Sequence, residues 1–373
     1  INNINCGKHI STVSSIRRTV THVMRHVAER LVDNCAEFHS VQILDLHKTK
    51  IEVFIENDEY WLIHYGKNTD AIRQRHTKNL AWAEPTTVSK EGLYYYWYTI
   101  PLVNYYHTLL DGVGSLVHYM RLREQYPDIV LLLNCSPRPK GGVMVHPPFV
   151  TELLDLLDIK YEFTDPHAVY ERVVYGAPLG IAAGKRCRPP GEQYDLLREI
   201  IRIAKMRAPA APSLSEGKVY ISRRAHANPL NDRKHIVGED NTVKRGLTNE
   251  DAVVEILTQL GYDEIFGENL TLSEKIVVFN SMTKYISTAG AGVANILWTM
   301  PNECSVGGIH TPGFPFPSNN HATHICTGPE VPATIDCYKG RVVFEDPVAG
   351  AANYNSPWYI NNLTAFREWA RTI

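Results

Sequence analysis

The sequence predicts an α/β protein made of two halves, and three observations predict it. From residue 218 onward, short β-rich runs alternate with helical runs, the pattern of a parallel sheet with crossover helices. Residues 208–217, Ala-Pro-Ala-Ala-Pro-Ser-Leu-Ser-Glu-Gly, lack bulky apolar side chains except one leucine and read as a linker between 1–207 and 208–373. Residues 284–298 join a short buried strand (Tyr285, Ile286, Ser287) to a turn of small residues (Ala289, Gly290, Ala291, Gly292). An apolar helical run follows until Pro301 stops it. Such a strand, turn and helix create a helix N-terminus whose free N–H groups and positive dipole end can meet a phosphate. The sheet is therefore expected to be Rossmann-like, with a ligand in the cleft beyond the carboxyl ends of its strands.

Each element follows from a local pattern. Residues 12–33 carry Ile16, Val20, Val23, Val27 and Leu31 at a helical period. Runs 41–46, 51–55 and 60–65 read as strands, 68–84 as polar surface, and 93–100 as an aromatic strand. A helix over 104–124, a strand at 129–133, a helix over 149–157, strands near Tyr161 and Val173, and a helix over 192–206 complete the first half. In the second half, 218–222 is a strand and 248–260 a helix with a capping-box pattern (Thr248, Asp251) and Gly261 as its stop. A strand at 262–266 precedes a helix over 272–282, again with a cap-like start (Thr271, Glu274). The central strand, a strand near 304–306, a Pro/Gly/Asn-rich loop at 312–324 and an amphipathic helix over 363–372 follow. That last helix could pack back on the N-terminal half.

The chain has 373 residues, 44% hydrophobic and 21% charged, with a net charge of -2, which argues against nucleic acid or an acidic membrane surface as partner. No apolar run approaches the ~20 residues of a membrane-spanning helix. The chain opens on Ile1 without a signal peptide and reads as a trimmed chain or one domain of a longer one. Its 7 cysteines are scattered without metal-ligand spacing, leaving room for one or two disulfides. Sequons at Asn134, Asn269 and Asn362 do not settle the compartment.

Two clusters could carry chemistry. Arg223 and Arg224 end the strand at 218–222, and Lys244 and Arg245 precede the next helix, so these cations share the sheet edge where Gly290 lies. Cations beside a helix N-terminus suit a diphosphate, and a solvated basic edge is the alternative. No Asp-x-Asp pair occurs, which favours neutralisation by arginines and backbone dipoles over a carboxylate-held metal. On the 104–124 helix, Leu109, Val113, Leu116 and Met120 fall on one face at 100° per residue, with His107, Asp111, Gly114 and His118 opposite. Two histidines, a carboxylate and a glycine read as a site wall, the alternative being a structural His–Asp pair.

Val219-Tyr-Ile-Ser-Arg-Arg224, Arg245-Gly-Leu-Thr-Asn-Glu250, Leu272-Ser-Glu274 and Gly290-Ala-Gly-Val-Ala-Asn295 together resemble glycosyltransferase family 61, and Asn104-Tyr-Tyr-His107 with Asp111 is similar to its N-terminal motif. The resemblance spans residues 104–301. It implies a GT-B fold, two Rossmann-like domains facing a central cleft, and an inverting, metal-independent glycosyltransferase. The donor is a UDP-sugar, with UDP-xylose the first choice, the acceptor is a glycan hydroxyl, and no further cofactor is needed. Arg223, Arg224, Arg245, Thr288, Gly290, Ala291, Gly292 and Asn295 are expected to hold the nucleotide sugar. Asp111 or His107 is expected to act as the base, and Asn104, Gly114 and His118 to wall the site. Three departures bear on the donor: Ala289 stands where the family usually has His, Gly307 where it has Glu after a strand, and Lys275 where it has Gln. A non-catalytic glycan- or nucleotide-binding relative, or a transferase using GDP-fucose, is the alternative. Family habit points to the Golgi or ER lumen, the odd cysteine count to a cytoplasmic soluble domain.

Overall fold

The computed structural model describes residues 35–46, 51–56, 59–64, 72–75, 88–97, 105–133, 147–165, 167–176, 181–182, 185–186, 191–224, 247–288, 290–310, 333–339, 341–342 and 358–373. The helix expected at 12–33 and the loop at 312–324 lie outside them. The chain forms two compact units. The first comprises Ile1–Ile100, Asp111–His146 and Ile159–Lys185, the second Pro101–Leu110, Pro147–Asp158 and Arg186–Ile373.

The first unit is built on an eight-stranded mixed sheet. Its strands are β1 (Cys35–Leu46), β2 (Ile51–Glu56), β3 (Glu59–His64), β4 (Ile72–Arg75), β5 (Val88–Tyr96), β6 (Val130–Leu133), β7 (Tyr161–Phe163) and β8 (Ala168–Gly176), in the order β4-β3-β2-β1-β8-β5-β6-β7. Strands β1 to β4 pair antiparallel, while β5, β6, β7 and β8 pair parallel. Strand β4 falls inside the stretch read as polar surface: Ile72-Arg-Gln-Arg75 supplies a ladder partner without supplying an apolar run. The aromatic run is buried without alternation from Tyr94 to Trp97, as a strand covered on both faces requires. Its register shifts between Lys90 and Leu93, where Gly92 takes φ +109° and gives its N–H to Glu171 at 2.7 Å. Helix α1 (Val113–Gln125) belongs to this unit. The two-residue strands β9 (Ile181–Ala182) and β10 (Lys185–Arg186) follow.

The second unit carries a five-stranded sheet of β11 (Lys218–Ile221), β12 (Asp263–Ile265), β13 (Lys284–Thr288), β14 (Cys304–His310) and β15 (Ala333–Lys339). All its pairings are parallel, in the order β12-β11-β13-β14-β15. Helices α2 (Pro148–Leu156), α3 (Gly191–Arg207), α4 (Glu250–Gln259), α5 (Leu272–Asn280) and α6 (Leu363–Thr372) belong to it, and β16 (Arg341–Val342) pairs with β17 (Trp358–Tyr359). Tyr220, Ile286 and Ile309 form one core with Val253, Ile256 and Leu257 of α4 and Phe366 and Ala370 of α6. The alternate residues Val219 and Tyr285 are buried as well, and Phe279 of α5 meets Tyr285 edge to face, so helices cover both sides. The closing helix, for which the sequence allowed a return to the N-terminal half, thus buries its apolar face in this core. Helices α2 and α3, read from sequence as part of the N-terminal half, pack against α5 and group with this unit. Residues 208–217 are pinned here too: Ser215 binds Asp263 through its N–H (2.7 Å) and hydroxyl (2.8 Å), and Gly217 O accepts from Thr283 N at 2.7 Å.

The two expected helix caps differ in outcome. Thr271 and Glu274 form the expected capping box on α5. Thr248 and Asp251 do not cap α4, whose N-cap is Asn249. Asp251 pairs instead with Arg224, and the Asn249 amide is spent on both backbone groups of Ile360.

Candidate functional site

Counted along the chain, the second sheet has the doubly wound order 2-1-3-4-5, so its connections leave β11 and β13 in opposite directions. The crevice at the carboxyl ends of those two strands is the topological switch point, where open α/β sheets bind ligands. Ile221 pairs with Ser287, which sets the two strand ends level. Ser222, Arg223 and Arg224 leave one strand there, and Gly290 follows the other.

The buried Glu250 carboxylate at the start of α4 organises this edge. Its Oε1 accepts from the Tyr220 hydroxyl at 2.8 Å, the Ser222 hydroxyl at 3.0 Å and the Arg223 N–H at 2.8 Å. Burial and the Glu250 charge push the Tyr220 pKa well above its ordinary value, so the phenol remains a donor. Glu250 stood within the motif run that ends at it, yet nothing local marked it as the residue that shapes the strand end.

The two adjacent arginines diverge. Arg223 runs toward Gly290, where a Cβ would stand 2.8 Å from its Nη1 and 3.5 Å from its Cζ. Residue 290 must lack a side chain for the guanidinium to lie there. Arg224 is held by carboxylates: Nε and Nη2 engage the two oxygens of Glu264, and Nη1 meets Asp251 at 2.6 Å. These partners raise its pKa above the ordinary arginine value. Arg224 thus has a structural occupation that the sequence did not reveal. Among the described residues, the Ser287 and Thr288 hydroxyls at the end of β13 are buried with no hydrogen-bond partner. Buried polar groups are normally paired, so two adjacent unpaired hydroxyls set this strand end apart.

The run after the glycine turn is a 3₁₀ helix over Ala291–Thr299, not the expected α-helix. Side chains satisfy carbonyls along it and at its end. Tyr285 donates to Gly292 O (2.9 Å), Thr299 to Ile296 O (2.8 Å), and Asn280 to Trp298 O (2.7 Å) and Met300 O (2.8 Å). A Cβ on Gly292 would make only ordinary contacts, the nearest 3.6 Å from Ile221. Asn295, expected to touch the nucleotide sugar, is buried and accepts from the Tyr105 hydroxyl at 2.6 Å.

The helix carrying the second cluster is not regular. A turn of α-helix (Tyr105–His107) leads into a π-helical stretch (Thr108–Gly112) and then α1. The wider π turn shifts the phase of everything after it, so counting 100° per residue from His107 to His118 fails. The expected open face is accordingly closed: Gly114 and His118 are buried, as is every residue from Val113 to Tyr119. A Cβ on Gly176 of β8 would stand 2.7 Å from His118 Cδ2 and 2.5 Å from the Tyr95 hydroxyl, so this imidazole packs on the sheet. His118 and Gly114 are core residues of the first unit rather than a site wall. His107 ends the α-helical turn and Asp111 lies in the π turn; their side chains, with Asn104, Arg245 and Ala289, lie outside the described residues. Gly307 sits inside β14, not after it, and a Cβ there would meet Ile286 and Trp369 at 2.9 Å each. Helix α6 therefore occupies the space a larger side chain would need.

A parallel sheet whose switch point brings together an arginine, a small-residue turn and unpaired hydroxyls defines the class, an α/β protein of Rossmann type. The family model for Glycosyltransferase 61 matches residues 105–307, more than half of the chain, and the chain belongs to this family. Its activity class is therefore sugar transfer, with a nucleotide sugar and a glycan acceptor as substrates. No curated protein matches the chain. Among the described residues no helix is long and apolar enough to cross a membrane.

Proposed function

We propose that this chain is an inverting glycosyltransferase of GT-B type that moves a sugar, xylose first among candidates, from a UDP donor to a glycan hydroxyl without a metal ion. The observation that carries the donor reading is the Arg223 guanidinium seated over Gly290 at the switch point of a parallel sheet. Arg223, the N–H groups of the 290–292 turn, the Thr288 hydroxyl and Arg245 hold the diphosphate, while Arg224 braces the strand end. Either Asp111 takes the acceptor proton directly, or it orients His107, which takes it. The acceptor oxygen then bonds to the anomeric carbon from the face opposite the diphosphate. The bond to the diphosphate oxygen breaks, configuration inverts, and UDP leaves with its charge stabilised by fixed donors.

Calorimetry tests the donor reading. UDP affinity should be unaffected by EDTA and weakened by R223A by ~1.5–3 kcal/mol, the size of a charge-assisted hydrogen bond. A strict Mg²⁺ or Mn²⁺ requirement overturns the metal-free reading. Turnover of GDP-fucose with none of UDP-sugars would reassign the donor, and binding with no donor hydrolysis would mark a non-catalytic relative. Direct action by Asp111 gives an activity limb in the acid range, and action by His107 a limb near or above ~6.5. D111N should keep UDP affinity and lose ~10²–10⁴ in turnover.

A further inference from the structure

Tyr105 makes contacts that its place at the start of a helix does not require. Its hydroxyl donates to Asn295 Oδ1 at 2.6 Å and accepts from Trp298 Nε1 at 3.2 Å, so it grips the 3₁₀ segment at two points. Phe149 of α2 holds the ring edge to face with centroids 5.2 Å apart, and the Lys275 amine lies 5.5 Å from the ring centre. Burial raises the Tyr105 pKa well above 10.0, which keeps the hydroxyl a donor. Gln193 in the first turn of α3 supplies a second grip. It is fully buried, and its Nε2 donates to Leu110 O at 3.3 Å, a carbonyl of the π-helical stretch. All of these residues belong to the second unit.

We propose that Tyr105 and Gln193 are positioning residues for the base-bearing turn: Tyr105 fastens its start to the segment following the Gly290 turn, and Gln193 fastens its Leu110 carbonyl to α3. The inference rests on the reading of Asp111 or His107 as the base. His107 lies between the two grips and Asp111 follows the Leu110 carbonyl by one residue, so the pair sets where the turn runs. A π turn is a locally unfavourable way to wind a helix; Gln193 holds its Leu110 carbonyl, and Tyr105 anchors the α-helical turn that leads into it. Reacting groups misplaced by about 1 Å cost on the order of 100-fold in rate, so a loosened turn reduces turnover without touching donor affinity.

Y105F removes both hydrogen bonds and keeps the ring against Phe149 and Lys275. Its UDP affinity should match the wild type, while turnover of UDP-xylose at saturation falls about 10- to 100-fold with KM unchanged. N295L should show the same kind of loss, and Y105F/N295L should be no worse than Y105F alone, since Y105F already removes the Asn295 bond. Q193M should lose turnover with the same unchanged UDP affinity. Hydrogen exchange needs no substrate: Y105F should speed amide exchange in 105–110 and 291–299 together. Unchanged exchange in both segments, wild-type turnover in Y105F, or an equal loss of UDP affinity overturns the proposal. D111N and H107A belong in the same assay. If both transfer at wild-type rate the base reading itself fails; if either is inactive and Y105F is not, only the clamp fails.

Discussion

Gly176 in the first unit and Gly290 in the second are alike in sequence terms, each a glycine at the end of a strand with no room for a Cβ. What fills the room differs. At Gly176 it is a buried imidazole and a buried phenol whose hydroxyl is bound to Ser115 O at 2.5 Å. At Gly290 it is the far end of a guanidinium on a partly exposed edge. The first glycine closes a core, and the second lets a long-stemmed cation lie across a turn. A glycine required by rigid neighbours is a stability residue, whereas one required by a flexible charge is a candidate for binding.

Substitutions can break that comparison, and the largest effect belongs to the core. G176A should destabilise the protein by about 3 kcal/mol, because neither His118 nor Tyr95 can yield without losing its packing, and denaturant unfolding reads this directly. A stable G176A variant would mean that the His118 ring moves freely and is not a core element. R224A should cost about 2 kcal/mol in the same measurement, since it strands the Glu264 carboxylate, only 16% exposed. UDP affinity should not change; a loss as large as that of R223A would return Arg224 to the ligand set. G290A should leave stability within about 0.5 kcal/mol while weakening UDP binding by up to ~1.5 kcal/mol, because the added methyl pushes the Arg223 tip aside.

Lys275 offers a subtler test within the second unit. Burial holds its amine below the ordinary 10.5, outweighing the opposing pull of Glu152, Glu268 and Glu274. The folded chain then binds fewer protons than the unfolded chain in the window just below 10.5, so this group's contribution to stability rises with pH there. K275M removes that slope, and its melting temperature relative to wild type should fall steadily as pH climbs through the window. A pH-independent gap would mean the amine is well solvated. Smallest of all, G292A should change stability by less than about 0.5 kcal/mol and leave UDP affinity intact, as its Cβ meets only ordinary contacts.

The parts legible from sequence are those set by neighbours a few residues away. The 272–280 helix starts at the Thr271–Glu274 box because both partners lie within one turn. Gly261 stops α4 with φ +82°, a conformation chosen by its own missing Cβ. The parallel second sheet follows from strand and helix runs of the right length in alternation, whereas β4 is invisible in the sequence because its four residues carry no such pattern.

Tertiary structure alone decided how the chemistry-bearing residues are partnered. Glu250 gathers Tyr220, Ser222 and Arg223 from about thirty positions away, Arg224 finds Glu264 at forty, and Tyr105 finds Asn295 at 190. Periodicity cannot see such separations, and a single π turn was enough to spoil the face assigned to His118. Residue types and local backbone signals therefore determined the second sheet, its turn and the cations beside it. The strand order that makes that edge a switch point, and the split of two adjacent arginines between a turn and a pair of carboxylates, came from packing. Only a folded chain brings such distant groups within hydrogen-bonding range.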